Sequence, residues 1–293
     1  MLPISGNGER PVPPGLSKGA VMSSSPTVLT PTAIVSRLRA AGCVFAEDET
    51  RLLVAAAPDS TALARMVQQR VDGLPLEQIL GYAEFCGLRI AVAPGVFVPR
   101  RRSEFLARQA ADLGRNILDS GETEELRVLD LCCGSGALGA VLAAELEQVQ
   151  LHASDIEPAA VECARRNVER FHGTVYQGDL FDPLPRRLRG TMHVITANVP
   201  YVPSDEIALL PAEAREHEPL RALDGGADGL DILRRVAQEA PVWLTPGGQL
   251  LIETSERQAP LAARIFTDAG LLATTAGCAE LGSTVLIGSR PAY

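Results

Sequence analysis

The 293-residue sequence predicts an α/β fold, a doubly wound and largely parallel sheet preceded by a small helical unit. Three observations carry that prediction. After Gly121, short apolar runs alternate with amphipathic stretches of about ten to fifteen residues, the pattern of strands joined by crossover helices. The first of those runs leads straight into a glycine loop, Gly134-Ser-Gly-Ala-Leu-Gly139, and then a helix. Before residue 81 the apolar residues fall at helical spacing instead.

In chain order, residues 1–27 are rich in Pro, Gly and Ser and lack the apolar content to bury a core, so a disordered segment is expected, with Met22 a candidate start. Residues 28–80 predict a helical domain, with Ile34, Leu38, Leu52, Val54, Leu63, Met66 and Val71 forming stripes between turn signals at Gly42 and Pro58-Asp59-Ser60. It either caps the larger domain or recognises a partner. Residues 81–100 change to short alternations, Phe85 to Val92 and Val96 to Val98 around Pro94-Gly95, which predict a β-hairpin linker. The domain from 101 to 293 opens with a helix to about Leu118, with Ser103 as candidate N-cap and Arg100 to Arg102 as its solvated start. Strands are then expected at 127–131, 149–153, 174–176, 192–197, 249–253 and 283–287. Helices are expected at 137–146, 158–170, 230–240 and 258–269.

Composition narrows the function classes. A net charge of −9 argues against a general nucleic-acid binder, which would carry a basic face. The six cysteines, Cys43, Cys86, Cys132, Cys133, Cys163 and Cys278, show no metal-ligand spacing with one another or with the four scattered histidines, so reduced thiols and no metal are expected. No apolar run is long enough to span a bilayer and the first residues lack the apolar core of a signal peptide, so a cytoplasmic protein is expected, as a monomer.

Two stretches carry chemistry. In Asp130-Leu-Cys-Cys-Gly-Ser-Gly136, Gly134 and Gly136 let the backbone approach a ligand at a helix N-terminus, and Asp155 follows at the next strand end, placed to bind ribose hydroxyls with Ile156 beside it. The literal GxGxxG also fits a nicotinamide dinucleotide. Asp130, however, is unfavourable beside a pyrophosphate and favourable beside an ammonium, which points to S-adenosylmethionine. Gly178-Asp179-Leu180-Phe181 offers a carboxylate and apolar contacts for an adenine, or is a plain loop. The second stretch, Asn198-Val199-Pro200-Tyr201, ends an apolar strand where open α/β sheets bind ligands. Pro200 stiffens it, Val199 is held extended, Asn198 offers an acceptor and a donor, and Tyr201 a flat face, a combination suited to holding a planar amino group. A simple turn after a strand has the same composition.

Taken in order, Asp130 to Gly136, Asp155, Gly178-Asp179 and Asn198 to Tyr201 resemble the class I methyltransferases of planar nitrogens. Gly81 to Leu88, Val98-Pro-Arg100 to Glu104, Glu218-Pro219, Ala222 to Gly226, Asp228-Gly229-Leu230 and Pro246 to Glu253 make the chain similar to the protein-(glutamine-N5) methyltransferases of the PrmC/HemK type, from about Pro75 to Gly288. The resemblance implies a Rossmann-like sheet whose last strand runs antiparallel, an N-terminal helical substrate-recognition domain and a catalytic domain over 101–293. It implies methyl transfer from S-adenosylmethionine to a protein glutamine, in the best-known members that of the Gly-Gly-Gln loop of peptide-chain release factors. By position, Asn198 and the Val199 carbonyl would accept hydrogen bonds from the substrate NH2, with Pro200 and Tyr201 packing the amide. Asp130, Cys132, Gly134, Gly136, Asp155, Ile156, Asp179, Leu180 and Asn198 would surround the cofactor. The family usually has proline at Val199, and a glycine with a small polar residue at Cys132-Cys133, so the resemblance implies a divergent subgroup. Three alternatives stay open: the same chemistry on an exocyclic amine of a nucleic-acid base, a nicotinamide-dependent oxidoreductase, and a binding protein that keeps the fold without turnover.

Overall fold

The computed structural model describes residues 29–292. The expectation for residues 1–27 lies outside them.

The helical unit comes first in the described chain. α1 (Pro31–Ala40) opens on Thr30, whose hydroxyl accepts from Ala33 N at 3.3 Å with Pro31 in the first turn, and α3 (Ser60–Val71) opens on Asp59, which accepts from Ala62 N at 2.8 Å. With α2 (Ala46–Ala56) and the short α4 (Leu76–Leu80) they enclose Ile34, Leu38, Cys43, Ala46, Leu53, Met66 and Val67. Leu53 is the inward residue of α2; Leu52 and Val54, expected in that stripe, are exposed on either side of it. One position on a helix turns a side chain by about 100°, and a run of three apolar residues does not say which one faces in.

A hairpin follows, β1 (Tyr82–Phe85) with β2 (Leu88–Ala91), while Val96 to Val98 is irregular chain. α5 (Glu104–Asp119) is preceded by a 3-10 turn over Arg101–Ser103, and Ser103 has helical dihedrals with no capping bond, so the expected N-cap is not one.

The large sheet has seven strands in the order β5-β4-β3-β6-β7-β9-β8. β3 (Leu126–Leu131), β4 (Val149–Asp155), β5 (Thr174–Gln177), β6 (Met192–Ala197) and β7 (Leu244–Thr254) are parallel, joined by α6 (Ala137–Glu145), α7 (Pro158–Val168) and α9 (Asp231–Trp243), with a short α8 (Ala212–His217) before α9. After α10 (Ala259–Asp268), β8 (Leu272–Cys278) forms the edge and β9 (Ser283–Ser289) inserts between it and β7, antiparallel to both. β8 has no counterpart among the expected strands. Its Leu-Ala-Thr-Thr-Ala-Gly-Cys is mostly solvated and offers no apolar alternation to read.

The sheet core splits into two apolar clusters, one around β3, α5 and α6 and one around β6, β7 and α9. The consequence for the site is topological. The chain winds outward from β3 to β4 and β5 on one side and from β6 to β7 on the other, so the order reverses between β3 and β6, where Leu131 pairs with Ala197. The loops that leave these two neighbouring strands are Cys132 to Gly136 and Asn198 to Tyr201.

Candidate functional site

At that reversal point a cavity of about 370 Å³ opens, within the range expected for a small-molecule site. Both loops line it. Of the residues expected from the sequence, Cys132, Gly134, Asp155, Ile156, Asp179, Leu180, Asn198, Val199, Pro200 and Tyr201 are on its wall; Asp130 and Gly136 are not.

On the cofactor side, Asp155 ends β4 and is fixed by two backbone donors, Gly134 N at 2.8 Å and Glu157 N at 2.9 Å. Burial raises its carboxyl above the ordinary value, against those hydrogen bonds. Gly134 has φ of +54° and open space where a Cβ would stand, a cradle that a ligand can approach. Cys132 also has positive φ, +50°, a conformation that favours glycine. A left-handed side-chain-bearing residue costs about 1–2 kcal/mol, so this loop carries backbone strain. Burial pushes both the Cys132 and Cys133 thiols upward, which keeps them protonated and unreactive. Leu180 is held by its carbonyl, which accepts from Ser154 Oγ at 2.8 Å.

Two expected cofactor residues lie off the wall, and a third is on it but already paired. Asp130 is fully buried behind the loop, its Oδ2 accepting from Gly139 N at 3.0 Å and its Oδ1 from Thr196 Oγ1 at 3.3 Å, and burial pushes its carboxyl up to about 7. It ties β3 to α6 and β6 and has no oxygen on the wall. Gly136 has φ of +76° and sits against α7, where a Cβ would lie 3.0 Å from Ala164 Cβ; its smallness serves packing. Asp179 reaches the wall with its carboxylate engaged by Arg235 Nη2 at 2.7 Å.

The acceptor side is built from distant pieces. Asn198 Nδ2 donates to Ser103 Oγ at 3.3 Å, and among the described residues nothing donates to its Oδ1. Val199 turns its side chain into the β6–α9 core, 1 % exposed, so valine fills an apolar niche, and its carbonyl takes part in no hydrogen bond among the described residues. The Tyr201 carbonyl accepts from Gln258 Nε2 at 2.9 Å, and its hydroxyl donates to Glu253 Oε1 at 3.1 Å. Burial raises that phenol, so it remains a donor. A Cβ on Gly229 would lie 2.3 Å from the Tyr201 carbonyl oxygen and one on Gly225 would lie 2.7 Å from that of Pro200. The glycines of Asp224-Gly-Gly226 and Asp228-Gly229 are thus the bed on which the Asn198 loop lies.

The arginines expected at a solvated helix start do something else. Arg100 pairs with buried Glu218 at 2.6 Å, and Arg102 Nε donates to buried Glu253 at 3.0 Å. Glu218 Oε1 also accepts from Val98 N at 3.2 Å, which explains why Val98-Pro-Arg100 and Glu218-Pro219 occur together. Asn167 was missed by sequence reasoning: its side chain bonds Ala91 N at 2.8 Å, Ala91 O at 2.9 Å and Ser135 O at 2.8 Å, stapling the hairpin to the glycine loop so that Phe85 and Phe97 close the cavity. Ser103, Gln258 and Glu253 were also missed as site residues. Glu253 alone had a signal, a charged residue ending an apolar central strand. Among the described residues no three His, Cys, Asp or Glu side chains are grouped to hold a metal.

Residues 89–209 match the family model described as a methyltransferase small domain. The chain is 37 % identical to the release factor glutamine methyltransferase of Geobacter sulfurreducens, over 73 % of this chain and 72 % of that protein. It is also 37 % identical to the release factor glutamine methyltransferase of Gloeobacter violaceus, over 70 % of each. It is 35 % identical to a 4-amino-L-phenylalanine/4-methylamino-L-phenylalanine methyltransferase of Streptomyces pristinaespiralis, over 70 % of this chain and 69 % of that protein.

Proposed function

The chain belongs to the release factor glutamine methyltransferase family, and on that premise we propose that it methylates the side-chain amide nitrogen of a glutamine in a peptide-chain release factor. It is an S-adenosylmethionine-dependent enzyme. The observation that carries the proposal is the pair of free acceptors at the end of β6, Asn198 Oδ1 and the Val199 carbonyl, set beside the cofactor loop at the reversal of strand order.

The residues present fit the cofactor. Asp155 would hold the ribose hydroxyls, Ile156 and Leu180 would flank the adenine, and the open backbone at Gly134 would admit the rest. Asp130 and Gly136 act from behind by shaping the loop. When bound, S-adenosylmethionine supplies an electrophilic methyl group. An amide nitrogen is a poor nucleophile because its lone pair is delocalised. Asn198 and Val199 accept its two N–H bonds and favour the pyramidal form with the lone pair directed into the cavity, while Pro200 and Tyr201 keep the amide plane in place. The helical unit, about residues 28–80, is the recognition domain. Its Arg70 is paired with Glu213 at 3.0 Å, and Glu213 belongs to the segment that carries Pro219 and Leu223 to the cavity wall. On this reading the enzyme is a cytoplasmic monomer. Among the described residues no helix is long and apolar enough to cross a membrane.

A second reading, methylation of the aromatic amine of a free amino acid, is favoured by the Streptomyces pristinaespiralis relative and by the apolar wall of Phe85, Val96 and Phe97. A nucleic-acid base is disfavoured by the net charge of −9. The test is transfer of radiolabel from S-adenosylmethionine to a release factor in extract, read by mass spectrometry. N5-methylglutamine in the Gly-Gly-Gln loop is the expected product. Label on a free amino acid would move the chain to the second reading, and label only on nucleic acid would overturn both.

A further inference from the structure

Four arginines stand on the cavity wall, Arg100, Arg102, Arg221 and Arg235, and their engagements differ. Arg100 and Arg235 each spend a terminal Nη2 on an acid, at 2.6 and 2.7 Å. Arg221 pairs through Nε at 3.3 Å with Glu157, and both side chains are well exposed, which makes that pair weak. Arg102 is held from two sides. Its Nε donates to the buried Glu253 at 3.0 Å, and its guanidinium carbon lies 5.5 Å from the centre of the Tyr201 ring. Among the described residues neither of its Nη groups has a hydrogen-bond partner, and 47 % of its side chain is exposed.

A guanidinium is a planar fork of five donors, so anchoring one edge at Nε leaves the outer edge fixed in direction and ready to donate. Its neighbour Ser103 holds Asn198 at 3.3 Å, and Arg102 itself lies over the Tyr201 ring, so the same turn touches both ends of the loop that holds the accepting nitrogen. We infer that the outer edge of Arg102 binds the α-carbonyl oxygen of the substrate residue and so selects an amino-acid substrate presented with its backbone toward Arg102. That oxygen is a peptide carbonyl in a protein glutamine and a carboxylate in a free amino acid. This rests on the functional reading above.

The experiment compares wild type, Arg102→Gln and Arg102→Lys with two acceptors, a release-factor domain and 4-amino-L-phenylalanine, the latter also as its carboxamide. Kinetics of transfer are read beside calorimetric binding of each acceptor to the S-adenosylhomocysteine complex. For the acceptor that the wild type uses, Arg102→Gln raises KM and Kd about tenfold, the scale of one charged hydrogen bond, and changes kcat less than about threefold. Arg102→Lys keeps a charge against Glu253, guards against misfolding and still raises KM, because an ammonium lacks the fork. The same rise on the release factor identifies a peptide carbonyl. A rise confined to 4-amino-L-phenylalanine, and absent with its carboxamide, identifies a carboxylate. A KM and Kd unchanged in both variants overturns the inference, as does a loss that falls wholly on kcat or on S-adenosylhomocysteine affinity. If wild type methylates neither acceptor the functional reading fails, while the Arg102 contact is still decided by the binding arm; absence of binding to either overturns both.

Discussion

The two halves of the cavity are built in different ways. On the cofactor side most of the bonds that set the wall are short in sequence: Asp130 to Gly139 spans 9 residues, Asp155 to Gly134 21 and Ser154 to Leu180 26. Asp179 to Arg235 at 56 and Asp130 to Thr196 at 66 are the longer ones. On the acceptor side, Tyr201 reaches Glu253 over 52 residues and Gln258 over 57, Asn198 reaches Ser103 over 95, Val98 reaches Glu218 over 120, and Arg102 reaches Glu253 over 151. The cofactor half is built mainly from the consecutive run β3-α6-β4-α7-β5, steadied by Arg235 of α9 and Thr196 of β6. The acceptor half exists only once the sheet and its insertions have closed. Most of the nucleoside side is thus fixed by neighbours in the chain, whereas the amide side is fixed by bonds of 52 to 151 residues.

The comparison is broken or sharpened by variants that act on one half at a time. The largest separation is expected between Asn198→Ala and Asp155→Ala. The first loses transfer about a thousandfold while S-adenosylhomocysteine affinity stays within about threefold; the second weakens that affinity by about ten- to a hundredfold. Single-turnover transfer and calorimetry read both, and equal damage to both quantities in either variant would dissolve the division. Gly229→Ala comes next. Its new Cβ would press on the Tyr201 carbonyl oxygen and on Gln258 Nε2, at 2.3 and 2.4 Å, with φ at +76°. Displacing the loop should cost about a hundredfold in transfer and about 2–3 kcal/mol in stability, measured by denaturant unfolding, with little effect on cofactor affinity. Ser103→Ala frees the Asn198 amide to rotate and is expected to lower kcat about fivefold, the scale of one hydrogen bond, with Ser103→Thr restoring it.

The smallest effect on activity is expected at Asp130. Because it is buried behind the loop, Asp130→Asn should change cofactor affinity less than about fivefold, a weaker loss than a single charged hydrogen bond to a ligand would give. Its signature is in stability. With its carboxyl pushed up to about 7, the folded protein keeps a proton that the unfolded chain releases above 3.8, so the native state loses stability as the pH rises through that window. The advantage of Asp130→Asn over wild type in unfolding free energy should therefore grow from about pH 4 to 7 and level off above, and a flat difference would mean that the carboxyl is ionised in the fold.

This division also explains what could be read early. β3 to β6, α6 and α7 were legible because each is a period of apolar residues closed by its own turn chemistry, and Asp155 and Gly134 come with them. Asn198 to Tyr201 was legible as an unusual end to a strand. What surrounds that loop was not. Arg102 and Ser103 read as a solvated helix start with a cap, and Gln258 as an ordinary helix residue, because nothing near them in the chain contains Glu253, Asn198 or Tyr201.

By itself, then, the sequence determined the alternation of strands and helices, the glycine loop with its ribose acid, and the stiff amide-bearing turn, since each depends on interactions between residues a few turns of chain apart. Only the tertiary structure decided which apolar residue of α2 faces inward, that Asp130 lies behind the loop and not on the wall, and that two arginines are anchored on buried carboxylates. Those facts depend on which distant groups are brought within about 3 Å of one another, and a charged side chain does not declare its partner until burial makes an unpaired one too costly to keep.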